Sequence, residues 1–183
     1  MKKSRKEAFE WIKALGIAVI IAVLVRSFIF TNYVVEGKSM MPNLQDGNRL
    51  IVNKIDYEIS KPKRFDIVIF HATKTEDYVK RVIGLPGDKI AYRHDVLYIN
   101  GKAMKEPYLN QYKKDIQGDL TYDFPNNGTI TVPKNTIWVM GDNRQNSIDS
   151  RVFGPVKLNK VVGKVNVRYW PMSKFSFMTN PDK

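Results

Sequence analysis

Ser39 stands in the stretch VVEGKSMMPN (34–43), after a flexible Gly37-Lys38 pair and before two methionines and a proline. A hydroxyl in such a turn becomes a nucleophile only when a neighbouring group takes its proton. The chain has no cysteine and only two histidines, His71 and His94. That composition excludes a thiol nucleophile, a disulfide framework and a thiolate zinc site, and two histidines alone make a poor transition-metal site. Without a metal-ligand cluster or a P-loop, no cofactor is expected. His71 ends the run DIVIFH and His94 lies in a polar RHD turn; nothing in the sequence ties either to Ser39, and each reads as a surface or edge histidine.

Lys80 is different. In DYVKRVIGLPGD (77–88) it lies inside an otherwise apolar strand pattern. Alternation sends Lys80, Val82 and Gly84 to one face and Arg81 and Ile83 to the other. Adjacent cations on opposite faces of one strand cannot both be freely solvated. A lysine facing an apolar interior is costly when charged, so its pKa falls. Lowering it from ~10.4 to about 7–8 requires roughly 3 units, or about 4 kcal/mol in favour of the neutral amine. Burial supplies that much. The residues alone leave a second reading open, a lysine snorkelling to the strand edge.

The elements that must position these residues follow from the wider pattern. The chain of 183 residues is long enough for one membrane segment and one domain with its own core. Residues 14–30, ALGIAVIIAVLVRSFIF, are apolar except for Arg26 and Ser27, and Trp11 and Tyr33 flank them as interfacial aromatics. An uncleaved anchor over 11–31 is expected; the alternative is the hydrophobic region of a cleaved signal peptide, for which Val35-Glu36-Gly37 would be a poor cleavage site. Lys2, Lys3, Arg5 and Lys6 precede the span, so a tail over 1–10 is expected in the cytoplasm and Ser39 outside, close to the membrane.

After the span, short β-type runs alternate with turn residues: RLIVNK (49–54), DIVIF (66–70), YVKRVIG (78–84), VLYING (96–101), TIWVM (136–140) and VVGKVNVRYW (161–170). Asn100-Gly101 is a two-residue hairpin signal. Seven prolines from Pro62 to Pro171 leave little room for a long helix. The expected fold is mainly β, an antiparallel catalytic domain over 32–183 behind one N-terminal transmembrane helix, with a polar insertion at about 92–134. The formal net charge is +12; residues 31–183 keep 24 basic and 16 acidic side chains, a net +8. The cations are scattered, without a basic helix or zinc-finger spacing, so nucleic acid is not an expected partner. Anionic lipid fits a basic face better, and a merely solvated basic surface is the plainer alternative.

Taken in order after the anchor, SMMP (39–42), RFDIVIF (64–70), YVKRVIGLPGD (78–88) and GDNRQNSIDSRVFG (141–154) resemble bacterial type I signal peptidases (peptidase family S26), particularly the short Gram-positive form. The resemblance runs from Lys2 to about Trp170. It implies a serine/lysine dyad, with Ser39 as nucleophile and Lys80 as general base. Ser147 matches a serine that holds the lysine, Asp149 and Arg151 match an ion pair bracing the loop, and Arg81 matches a structural arginine. Asp142, Asn143 and Arg144 open the last block as turn and support residues. Two departures stand out. Some relatives carry a serine whose hydroxyl helps bind the oxyanion where this chain has Gly37, so the Ser39 backbone N–H becomes the expected principal donor. Asn43 replaces a common threonine, with little consequence expected.

The resemblance also implies cleavage after small-x-small sites in the signal peptides of secretory preproteins, at a single-pass membrane protein acting as a monomer. Val34, Val35, Ile67, Val68, Ile69 and Val82 are candidate pocket walls, with core packing as the competing reading. Met40, Met41 and Leu44, together with YWPMSKFSFM (169–178), are candidates for an apolar patch in the outer leaflet. Self-cleaving repressors of the DNA-damage response resemble the same Ser/Lys core but cut themselves at Ala-Gly or Cys-Gly, dipeptides this chain lacks. A non-enzymatic module that captures signal peptides is the remaining alternative, and retention of both Ser39 and Lys80 argues against it.

Overall fold

The structure is a computed structural model describing residues 2–55, 57, 61–125 and 128–180, with the side chains of all of these except 2–6, 8 and 24–28. Helix α1 (Lys2–Ile29) spans 28 residues, about 42 Å at ~1.5 Å per residue. It exposes apolar side chains all round, among them Phe9, Trp11, Ile12, Leu15, Ile17, Ile20 and Val23. Among the described residues no helix is long and apolar enough to cross a membrane. Arg26 and Ser27, within the expected span, and Lys2, Lys3, Arg5 and Lys6 before it have side chains outside the described ones. The chain passes from α1 straight into β1 (Phe30–Val34), a strand hidden in the sequence by its continuity with the apolar run.

The remaining strands are β2 (Arg49–Asn53), β3 (Ile67–His71), β4 (Asp77–Gly84), β5 (Lys89–Arg93), β6 (Val96–Ile99), β7 (Lys102–Met104), β8 (Ile130–Thr131), β9 (Thr136–Met140), β10 (Val156–Lys157), β11 (Val161–Trp170) and β12 (Ser176–Phe177). Among the described residues the named helices besides α1 are short: α2 (Asn110–Lys114) and α3 (Ser150–Phe153), with three 3-10 turns. All named strand pairings are antiparallel. The large sheet runs β1-β2-β11-β3-β4-β9-β10 with β12 beside β11, and the smaller one β7-β6-β5-β8. The small sheet occupies Lys89 to Thr131, between the two central strands β4 and β9. Asn100 and Gly101 turn β6 into β7 with positive φ at both, as the hairpin signal required.

Both faces of the large sheet are covered, which is why its central strands read as unbroken apolar runs rather than alternating ones. Val35, Met40, Leu44, Leu50, Val52, Ile67, Ile69 and Val165 form one cluster, and Val68, Phe70, Val82, Ile137, Val139 and Val156 another. A third joins the two sheets through Phe65, Ile83, Ile90, Tyr92, Leu97, Ile99, Val132, Trp138 and Met140. On β4 alternation therefore separates Val79 and Arg81 from Lys80 and Val82, and buries both cations at 4 % exposure.

Candidate active site

Three segments converge at one end of β4. The turn after β1 brings Ser39 to the β4 lysine: Lys80 Nζ donates to Ser39 Oγ at 2.8 Å. The segment after β9 closes the site from the other side, where the Asn143 N–H donates to the Ser39 carbonyl (3.0 Å) and Asn143 Nδ2 to the Lys38 carbonyl (3.1 Å). Leu44 N–H to the Met40 carbonyl (2.8 Å) and Met41 N–H to the Lys38 carbonyl (3.1 Å) tighten the turn that carries Ser39. No hydrogen bond recorded among the described residues uses the Ser39 N–H, which leaves it available to an incoming oxygen.

Burial pushes the Lys80 ammonium down from 10.5 to about 8, and the Asp149 and Asp142 carboxylates moderate that fall. At 5.1 Å, the Tyr78 ring is the nearest aromatic face. Burial by itself would raise the Asp149 carboxyl, yet Arg151, the Gly141 N–H and Ser147 hold it below its usual value. Arg151 reaches it through Nε on Oδ1 (2.9 Å) and Nη2 on Oδ2 (2.8 Å), and Gly141 N–H also donates to Oδ2 at 3.0 Å. Asp149 also caps α3 by accepting from the Arg151 N–H. Arg81 and Asp142 form a second, fully buried pair, with Nε and Nη2 each 2.7 Å from a carboxylate oxygen.

The site depends on two glycines. A Cβ on Gly141 would lie closer than 3.0 Å to Ser147 Oγ, Ser147 Cβ and the Ser39 carbonyl oxygen. Gly37 sits at φ 85° with its N–H on Asp46 Oδ1 (2.8 Å), a left-handed conformation that a serine would occupy only under strain. The missing side-chain donor at this position therefore goes with a backbone built for glycine.

A cleft of about 850 Å³ runs from Ser39 and Lys80 along the chain, bounded by Tyr33 to Met40 on one side and by His71, Asp77 to Lys80, Asn146 and Ile148 on the other. Among the described residues the strand edges facing it are unpaired: β1 pairs with β2 alone, and β9 covers β4 only from Arg81 to Gly84. Tyr33 Oη donates to Asp77 Oδ2 at 2.8 Å, and burial with this carboxylate raises the phenol to about 12.

Several residues singled out by sequence have other places. Of the candidate walls, Val34 and Val35 line the cleft, Val35 from within the core cluster that also holds Ile67 and Ile69, whereas Ile67, Val68, Ile69 and Val82 are core alone. Met40 and Leu44 are buried at 1 % and 0 %, so they belong to the core and not to an exposed patch; Trp170, Met172, Phe175 and Phe177 are exposed. Ser147 Oγ is buried against Gly141 without a hydrogen-bond partner of good geometry, Lys80 included, although it lies near enough to Asp149 to act on its charge. His71 meets Asp77 at 2.6 Å on the cleft rim, and His94 groups with Asp119 and Asp123 on the exposed surface. Asn43 makes more contacts than expected, with its Nδ2 2.9 Å from both Asp142 Oδ2 and the Tyr108 carbonyl. Sequence reasoning missed the cleft residues Tyr33, Tyr78, Val79 and Ile148; only nearness along the chain to Ser39, to Lys80 or, for Ile148, to Ser147 would have marked them.

An antiparallel β domain with a serine hydroxyl on a buried lysine, at the head of a strand-edged cleft, defines a serine peptidase. Residues 8–170 match the family described as signal peptidase, peptidase S26. The chain is 55 % identical over 180 residues to signal peptidase I of Bacillus caldolyticus, covering 96 % of this chain and 97 % of that one. It is 45 % identical over 186 residues to signal peptidase IB of Staphylococcus aureus strain MRSA252, with 97 % of each covered. The crystal structure of a signal peptidase I from Enterococcus faecalis V583 shares 42 % identity at a TM-score of 0.53, over 57 % of this chain and 97 % of that one. This chain belongs to the signal peptidase family, peptidase S26.

Proposed function

We propose that Ser39 is the nucleophile and Lys80 the general base; the observation that carries this reading is the 2.8 Å contact between Lys80 Nζ and Ser39 Oγ. As a signal peptidase I, the chain cleaves signal peptides from secreted preproteins. Deprotonated Lys80 takes the Ser39 proton as the hydroxyl attacks the scissile carbonyl, then returns it to the leaving amine. The acyl-enzyme is hydrolysed by water that the same amine activates. The Ser39 N–H receives the oxyanion, and a transition-state analogue complex with no oxygen near that N–H would refute the assignment. Ser147, beside the Ser39 carbonyl, is the proposed second acceptor for the Lys80 ammonium after rotation about its Cα–Cβ bond. Arg81, Asp142, Asp149 and Arg151 hold the segments in register without touching substrate.

An extended peptide fits the cleft by pairing with the free edges of β1 and β4. Its small side chains would face Val35 and the neighbouring floor, giving the small-x-small preference. Signal peptidase I is membrane-anchored. The apolar circumference of α1 and the lysines before it support an anchor over 11–31 with the N-terminus in the cytoplasm, and a catalytic domain over 32–183 outside. The insertion at about 92–134 supplies neither member of the dyad, and the protein acts as a monomer. Trp170, Met172, Phe175 and Phe177 then rest in the outer leaflet.

The test is cleavage of a purified preprotein by the full-length protein in detergent and in lipid, with Ser39→Ala and Lys80→Ala beside it and the product's new N-terminus sequenced. Cutting after a small-x-small site, abolished in both folded variants, is expected. Full activity of Lys80→Ala would require another base.

A further inference from the structure

Asp142 is where the three segments of the site meet, and the residue that joins them is Asn43. Asp142 follows Gly141 and precedes Asn143, whose N–H holds the Ser39 carbonyl. Its two oxygens take Nε and Nη2 of Arg81, the neighbour of Lys80 on β4. Oδ2 also takes Nδ2 of Asn43, which lies four residues beyond Ser39 at the far end of the nucleophile turn. The second N–H of that amide goes to the Tyr108 carbonyl in the segment following the small sheet's β7, and Tyr108 stacks on the Arg81 guanidinium at 3.9 Å. The Asn43 carbonyl accepts from Arg168 Nη1 on β11 at 2.7 Å.

We infer that Asn43 is a positioning residue of the reaction: its amide locks the nucleophile turn to the Arg81–Asp142 pair and to the Tyr108 segment, and so fixes Ser39 Oγ against Lys80 Nζ. This rests on the dyad reading above. Both partners of Nδ2 are acceptors, so the amide orientation is set by its surroundings. Only a side chain with two N–H donors on one atom serves both. A threonine has one O–H and must release either Asp142 or Tyr108; an aspartate would set a second carboxylate against Asp142. Removing the amide unties the turn from Asp142 and Tyr108 and leaves it held by its own hydrogen bonds, by Asn143, by Arg168 on the Asn43 main-chain carbonyl and by the buried Met40 and Leu44. A displacement of about 1 Å between reacting groups costs on the order of a hundredfold in rate, so partial loosening should cost about tenfold.

Asn43→Ala and Asn43→Thr in the full-length protein, in lipid, test this. The expected result is a fall in kcat of about tenfold for Asn43→Ala and less for Asn43→Thr, with KM within twofold. The kcat/KM–pH profile should also move to higher pH, because Asp142 loses a donor and acts more strongly on Lys80 beside Asp149. A merely structural amide would lower Tm and leave both kcat well below Tm and the pH limb unchanged; that result overturns the inference. Should Asn43→Ala not fold, Asn43→Thr alone decides, and kcat within twofold of wild type with an unmoved limb refutes it. Ser39→Ala run in parallel separates the two levels: if it retains activity, the dyad reading fails before the Asn43 inference is reached.

Discussion

Gly141→Ala is a one-methyl change that should disable the site while sparing the fold. The added Cβ would fall closer than 3.0 Å to Ser147 Oγ and to the Ser39 carbonyl oxygen, against 3.4–4 Å for ordinary contact. Ser147 Oγ can rotate away, although Ser147 Cβ cannot; the Ser39 carbonyl cannot either, because it is main chain and is held by the Asn143 N–H at 3.0 Å. Relief requires the nucleophile turn to retreat by about 1 Å, which at a near-attack geometry costs on the order of a hundredfold in kcat. Overpacking of this kind destabilises by about 1–3 kcal/mol, so the variant should remain folded at 25 °C. The assay is steady-state cleavage of a preprotein with Tm measured on the same samples. A second substitution sharpens it: Gly141→Ala/Ser147→Gly removes both Ser147 contacts and leaves the main-chain carbonyl, so activity should recover little. Activity of Gly141→Ala within threefold of wild type, or full rescue by Ser147→Gly, would refute this reasoning.

The buried pair gives the largest stability effect: Arg81→Met strands Asp142 in the interior and should cost about 3–5 kcal/mol, read by denaturant unfolding, while a loss below about 1 kcal/mol would mean that the carboxylate escapes to solvent. Lys80→Met should stabilise the protein at pH 7. The native pKa of about 8 lies below the unfolded value of 10.5, so the charged lysine costs up to about 3 kcal/mol below pH 8, and that cost disappears as pH rises through 10.5. Equal stability of the two proteins at pH 7 would argue against the depressed pKa. A fragment of residues 32–183 should co-sediment with anionic liposomes through Trp170, Met172, Phe175 and Phe177, and its absence from the lipid pellet would sink the membrane-resting patch.

β2, β3, β4, β6, β9 and β11 were legible because short apolar runs bounded by turn residues mark them locally. β1 was not, since it continues an apolar helix without a break. Lys80 announced itself by being a cation in an apolar strand, and the structure buries it as that pattern demands. The pairing of Arg81 with Asp142 spans 61 residues, and the Asn43 contact with Asp142 spans 99. No local pattern records such closures. The wall residues divided for a physical reason: Ile67, Ile69 and Val82 lie on central strands covered on both faces, so they had no open side to offer a ligand. Gly37 and Asn43 looked like losses by comparison with relatives, yet one answers a backbone angle and the other a pair of acceptors.

The central claim is that a neutral Lys80 removes the Ser39 proton, and the pH dependence of kcat/KM for the full-length protein in lipid tests it most directly. Activity should rise with pH as Lys80 loses its proton, through a single limb centred near 8, and level off above it. A limb near ~6.5, the ordinary range of a histidine, or no dependence between about pH 6 and 10, would contradict it.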